Sequence, residues 1–153
     1  MDQTAPPVSG TKDLISVLAE MGQLTAEQAV RARVEAASTD KKQLDIVKGL
    51  GVTDEEVLVK ARAVVLSVLY FDQPSLVLSP ELLNLVPGSV AEAYRLIPFS
   101  FDEAENNLSV IMENPQDLAA IDFLEKRTGM RVKVWLTSPA RLRLLIDQNY
   151  AQS

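Results

Sequence analysis

Leu14, Val17, Leu18 and Met21 recur at i, i+3, i+4 and i+7, the spacing of one helix face, and predict a short helix ending at Gly22. A second helix is expected from Thr25, because Thr25-Ala-Glu-Gln28 is a capping box in which hydroxyl and amide each satisfy an unpaired backbone N–H. Ala29, Val30, Ala32 and Val34 give that helix a modest apolar face. The pattern then returns. Ile15, Val17, Leu18, Met21 and Gly22 correspond to Leu44, Ile46, Val47, Leu50 and Gly51 at an offset of 29, and Thr25-x-x-Gln28 corresponds to Thr53-x-x-Glu56 at an offset of 28. Two helix–turn–helix units are therefore predicted, joined by the polar segment 36–42. The second ends in a long apolar helix through Ala61, Val64, Val65 and Val68.

Beyond Asp72 the punctuation changes. Gln73-Pro74-Ser75 breaks the helix, and Ser79-Pro80-Glu81 starts another that stops at Val86-Pro87-Gly88. One or two further turns over 89–94 lead into Ile97, Phe99 and Phe101, which alternate with Pro98 and Ser100 and predict a strand. Pro98 puts that strand at an edge or near its own start. A polar turn over 102–107 and the alternating run 108–112 complete a hairpin. A helix with Leu118, Ile121 and Leu124 inward follows, then a third strand over 130–136, and a last helix opened by Ser138-Pro139 with Leu142, Leu145 and Ile146. The expected class is α+β: a helical subdomain of two helix–turn–helix repeats, then a small ββαβα subdomain on a three-stranded sheet. The expected boundaries are a flexible leader over 1–11, the helical repeats over 12–72, a linker with a short helix over 73–88, and the α/β subdomain over 89–153.

The 153 residues, 47% of them hydrophobic, suffice for a packed core. The absence of Cys and His removes thiol nucleophiles, thiolate metal sites and the commonest general base. Formal net charge is −6, with 11 acidic against 8 basic residues over 1–72 and 10 against 7 over 73–153, so neither part presents the field that nucleic-acid backbones need. Nucleic acid is not an expected partner. The longest apolar run, 64–71, is far shorter than the roughly 20 residues of a membrane-spanning helix. No signal peptide is visible, and a cytoplasmic location is expected.

Candidate chemistry is sparse. The glycines at 10, 22, 49, 51, 88 and 129 fit neither phosphate-loop pattern, so no nucleotide hydrolysis is expected of this chain. The acidic runs Asp54-Glu55-Glu56 and Asp102-Glu103-x-Glu105 are read as a helix's opening turn and an exposed hairpin turn, not as metal or acid/base sites. On the third strand, Val132, Val134 and Leu136 take one face, leaving Arg131, Lys133 and Trp135 on the other. That basic face with the single Trp suits partner docking, and Trp135 equally suits a position covered by another element.

These residues resemble a family. Val86-Pro87, Ala91-x-x-Tyr94-x-x-Ile97-Pro98, Leu108-x-Val110-x-Met112-x-Asn114-Pro115-x-Asp117 and Arg131-Val132 look like the skeleton of the N-terminal domain of type II secretion and type IV pilus assembly ATPases. The resemblance extends from about residue 12 to 150. The helical repeat is similar to the family's paired motif, which in one branch binds cyclic di-GMP. The first copy keeps Leu14, Leu18, Gly22 and Leu24, and the second keeps Val47, Gly51 and Val52; Leu14, Leu18, Gly22, Leu24, Val47 and Gly51 are the candidate dinucleotide residues. Asp13 stands where the motif has Arg, Ile15 where it has Gly, Ala36 where it has the terminal Gln, and Val64-Val65 fall at the second Gln. A carboxylate at position 13 repels phosphates, and Ile15 denies the close backbone approach that Gly permits.

The resemblance implies a non-catalytic regulatory and docking domain with no bound cofactor, whose parent protein is an ATPase. Its partners would be the inner-membrane platform or a cytoplasmic adaptor, together with the parent's downstream ATPase domains, and it would meet the membrane only through those partners. The alternative it implies is a cyclic di-GMP sensor regulating the same motor. The apolar run 64–71 leaves open whether its helix is buried in its own chain or exchanged between chains.

Overall fold

The structure, a computed structural model, describes residues 13–150; the leader expected over 1–11 lies outside them. The chain forms two compact units that divide between Ser67 and Val68.

The first unit contains α1 (Leu14–Glu20), α2 (Ala26–Ser38), α3 (Gln43–Gly49) and α4 (Glu55–Leu66). Its repeat is regular at the level of helix ends. The N-caps Asp13 and Lys42, the N-caps Thr25 and Asp54, and the turn glycines Gly22 and Gly51 all recur at one and the same offset. The cap expected at Thr53 is therefore displaced by one. Asp54 accepts from Val57 N at 3.3 Å, whereas the Thr25–Gln28 box forms as expected, at 2.9 and 3.1 Å. Both short helices end in the same double bond: Gln23 N donates to Leu18 O and Gly22 N to Ala19 O, as Val52 N does to Val47 O and Gly51 N to Lys48 O.

The core of this unit is aliphatic and small: Ile15, Val17, Leu18, Leu24, Ala29, Ala32, Ile46, Val47, Val52, Leu58 and Ala61. Two expected faces are rotated. Met21 is exposed while Ile15 is buried, and α2 turns Ala29, Ala32 and Ala36 inward, leaving Val30 and Val34 about 60% exposed. The inward alanines follow the helical period and let α2 approach α1 and α3 closely. The valines, at i and i+4, share the opposite side.

The apolar run 64–71 is not one helix. α4 ends at Leu66, Ser67 adopts a left-handed conformation (φ 58°), and Leu69–Tyr70 is a strand, β1. β-branched and aromatic residues suit a pleated strand as well as a helix, so hydrophobicity alone could not place the break.

The second unit adds α5 (Pro80–Leu85), α6 (Gly88–Tyr94), β2 (Leu96–Asp102), β3 (Asn107–Met112), α7 (Leu118–Thr128), β4 (Arg131–Leu136) and α8 (Pro139–Tyr150). The sheet has four strands, in the order β1-β4-β3-β2, rather than the three expected. Two residues are too few for periodicity to reveal, and β1 exists because Leu69 and Tyr70 pair in parallel with Trp135 and Leu136. β2 and β3 form the antiparallel hairpin, with an irregularity between Pro98 and Ser100, and β2 lies at the sheet edge, where a proline removes no ladder bond. β3 and β4 pair in parallel across the α7 crossover. On α7, Leu118 is 73% exposed, and Ala120 and Leu124 are the buried residues, because they and Ile121 share the helix face that packs on the core, to one side of Leu118.

The segment between β1 and α6 is held by side chains from α7 and α8. Asn149 Oδ1 accepts from Leu78 N at 3.0 Å, and its Nδ2 donates to Leu76 O and Leu145 O, each at 2.9 Å. Tyr150 Oη donates to Val86 O at 2.6 Å, and burial pushes its pKa up to about 12. Arg127 Nε donates to Leu85 O at 3.0 Å. Thr137 Oγ1 donates to Phe71 O at 2.7 Å, and Arg141 Nη1 reaches Tyr70 Oη at 3.1 Å, which ties β1 to the start of α8. Among the described residues no helix is long and apolar enough to cross a membrane.

Candidate functional site

The first candidate is the paired repeat in the helical unit. Leu18 and Val47 are fully buried in its core, Leu24 is nearly so, and Leu14 packs at its margin. These aliphatics meet each other. Gly22 and Gly51 are exposed, with φ of +81° and +102°, and each occupies the left-handed position that closes its helix. A Cβ at Gly51 would meet nothing within 4 Å, so only its backbone conformation demands glycine there. Gly51→Ala should therefore cost about 1 kcal/mol of stability, measured by urea unfolding followed by circular dichroism.

Where the two repeats meet, side chains close on one another. Asp13 Oδ1 accepts from Ser16 N at 2.8 Å, and its Oδ2 accepts from Gln43 Nε2 at 3.1 Å. Gln43 Oε1 accepts from Ile15 N at 3.2 Å, so one amide bridges the first turn of α1 from the first turn of α3. Arg33 Nη2 donates to Ser16 Oγ at 2.6 Å. Burial works against the Asp13 carboxylate, but the bonds from Ser16 and Gln43 and the charge of Arg33 outweigh it and hold its pKa below the ordinary 3.8. A depressed pKa means that the carboxylate's contribution is present above about 3.8 and is lost as pH falls through the folded value. Asp13→Ala should cost about 1 kcal/mol near neutral pH, with the penalty shrinking below pH ~3.8, as read from urea midpoints across pH.

Sequence reasoning identified Asp13 as a departure but missed Gln43, Ser16 and Arg33. Gln43 is the first residue of α3 and follows its N-cap, Lys42, which makes no side-chain capping bond. No local motif marks a glutamine whose partner lies 30 residues away.

The second candidate is β4. Arg131 and Lys133 are exposed on the face that strand alternation predicts, and Trp135, third on that face, is half-buried. The Trp135 ring stands perpendicular to Phe99 with centroids 5.0 Å apart, and Phe99 in turn contacts Phe71 at 5.3 Å. Trp135 Nε1 is buried without a hydrogen-bond partner among the described residues. Its ring packs against Phe99, and Arg131 and Lys133 are the exposed side chains on this face. Among the described residues no group of three or more carboxylates could hold a metal ion, and Asp54-Glu55-Glu56 lies at the start of α4.

The chain is similar to the type IV pilus assembly ATPase PilB of Thermus thermophilus, 22% identical over 143 residues, covering 94% of this chain and 16% of that protein. It is also similar to PilB of Myxococcus xanthus, 32% identical over 73 residues, covering 48% of this chain and 12% of that protein. The chain therefore spans less than a fifth of the length of these relatives. Among solved structures, it shares its fold with MshE with cdg (TM-score 0.64, 22% identity, 91% of this chain and 99% of that one). The N-terminal domain of XpsE is a second neighbour (TM-score 0.55, 21% identity, 98% and 99%). The sequence profile of the MshEN domain matches residues 66–153, more than half of the sequence, and the chain belongs to the MshEN domain family.

Proposed function

We propose that this chain is the non-catalytic regulatory and docking domain of a type IV pilus assembly or type II secretion ATPase, connecting the motor to an inner-membrane platform or cytoplasmic adaptor protein. The observation that carries this reading is the alignment of nearly the whole chain with a small share of PilB. The nucleotide chemistry is assigned to the remainder of the parent protein, because this chain has no phosphate-cradling loop. Docking is assigned to Arg131 and Lys133 on β4, which offer two exposed cations on a rigid strand to an acidic partner surface. Pull-down with the cytoplasmic domains of the platform and adaptor proteins tests the reading. Retention of at least one of them is expected, and retention of none contradicts it.

One observation favours a second reading, a cyclic di-GMP sensor: the structural likeness to MshE with cdg. Against it stand the Asp13 carboxylate and the Gln43 amide, which occupy each other where the repeats meet. Calorimetric titration with cyclic di-GMP separates the two readings. A flat trace at ligand concentrations on the order of 10 μM favours docking, and a saturable heat favours the sensor.

A further inference from the structure

An open cleft of about 200 Å³ in the second unit is lined by Arg95, Glu113, Pro139, Ala140, Leu142 and Arg143. Its position follows from the topology. Glu113 is the residue after β3, Pro139 to Arg143 form the first turns of α8 just beyond β4, and Arg95 immediately precedes β2. The cleft thus opens at the carboxyl ends of two adjacent parallel strands, where βα units place their ligands.

The charges of this cleft are arranged to admit an anion. Arg95 caps α6 in a left-handed conformation (φ 56°), and its carbonyl accepts from Glu113 N at 3.1 Å, which fixes the backbone of both residues at the rim. Their side chains are held far less firmly. Arg95 Nε and Glu113 Oε1 are 3.9 Å apart, and the two side chains are 44% and 43% exposed. Such an exposed pair contributes little and exchanges partners readily. Arg143 enters from α8, a separate element, and makes no ion pair among the described residues. Two guanidiniums from separate elements therefore share one cleft with a single, loosely engaged carboxylate, in a chain whose net charge is −6.

We propose that this cleft binds a phosphate group, with Arg143 and Arg95 as its cations and Glu113 as the group that the ligand displaces from Arg95. Guanidinium forks match phosphate oxygens geometrically. Neither the family match nor the docking reading assigns this site, and the proposal depends on neither.

The test is a two-dimensional amide NMR titration of the full 153-residue chain, in low-salt buffer, with inorganic phosphate in one arm and AMP in the other. Saturable shifts confined to Glu113, Ala140, Arg143 and their neighbours are expected. A tighter constant for AMP identifies a phosphomonoester as the ligand, and an equal or weaker one identifies free phosphate. Arg143→Ala should weaken binding about tenfold, the loss expected for one charge-assisted contact. Glu113→Gln should strengthen it. Lys126→Ala removes the same charge from α7, where Lys126 pairs with Asp122 at 3.2 Å, and should leave binding unchanged. Absence of saturable shifts at the cleft, or equal weakening by Arg143→Ala and Lys126→Ala, overturns the proposal.

Discussion

Leu18→Ala should destabilise the helical unit by about 3 kcal/mol, within the range for truncating a fully buried leucine. Leu18 is wholly buried in a core to which α1, α2, α3 and α4 all contribute, and its C=O also accepts the bond that closes α1. The substitution keeps the backbone bond and removes only side-chain volume, so the loss reports packing. The only tryptophan, Trp135, lies in the second unit, so fluorescence follows that unit while far-ultraviolet circular dichroism follows both. The leucine variant is expected to lower the urea midpoint followed by far-ultraviolet circular dichroism. Unchanged helical stability would mean that Leu18 lines an open ligand site rather than a core.

Asn149→Ala should have the second largest effect, a loss of about 2–3 kcal/mol, this time in the fluorescence transition. One amide serves the backbone of the segment between β1 and α5 as donor and acceptor, and alanine leaves Leu78 N and Leu76 O without that partner. Leu78 is itself buried, so water is a poor substitute. Loss of the segment's anchoring would also free Leu82 and Val86, which belong to the same core. An Asn149→Ala chain as stable as the parent would show that the segment is held by its apolar residues alone.

Sequence patterning recovers what is strongly local. Thr25-Ala-Glu-Gln28 forms its capping box, Ser79 caps α5 by accepting from Leu82 N, and the Ser138 hydroxyl accepts from Arg141 N at the start of α8. The hairpin and the edge position of β2 follow from alternation and Pro98. Patterning fails where long-range partners decide. β1 is a strand only because β4 lies beside it, and the rotation of α2 is set by which of its small residues let α1 and α3 approach. At the candidate sites, the repeat itself was legible because caps and turn glycines recur at one spacing. The bridge from Asp13 to Gln43 was not, since polar side chains that meet across a fold leave no periodic trace.

The same logic explains the glycines of the repeat. Gly22 and Gly51 satisfy the closing bonds of α1 and α3, and Leu18 and Val47 supply the core beneath them. At the start of α1, Asp13 accepts from Ser16 N and Ile15 donates its N–H to Gln43.

Titration calorimetry of the chain against the cytoplasmic domain retained in the pull-down tests the docking reading most directly, with the double charge reversal Arg131→Glu, Lys133→Glu measured alongside. Both residues are exposed, so the reversal should leave the fold intact and weaken binding about tenfold or more, with the parent's affinity falling as salt is raised. Saturable binding that the double reversal leaves unchanged would contradict the assignment of docking to β4, and no binding by the parent chain, together with a saturable heat from cyclic di-GMP, would contradict the docking function itself.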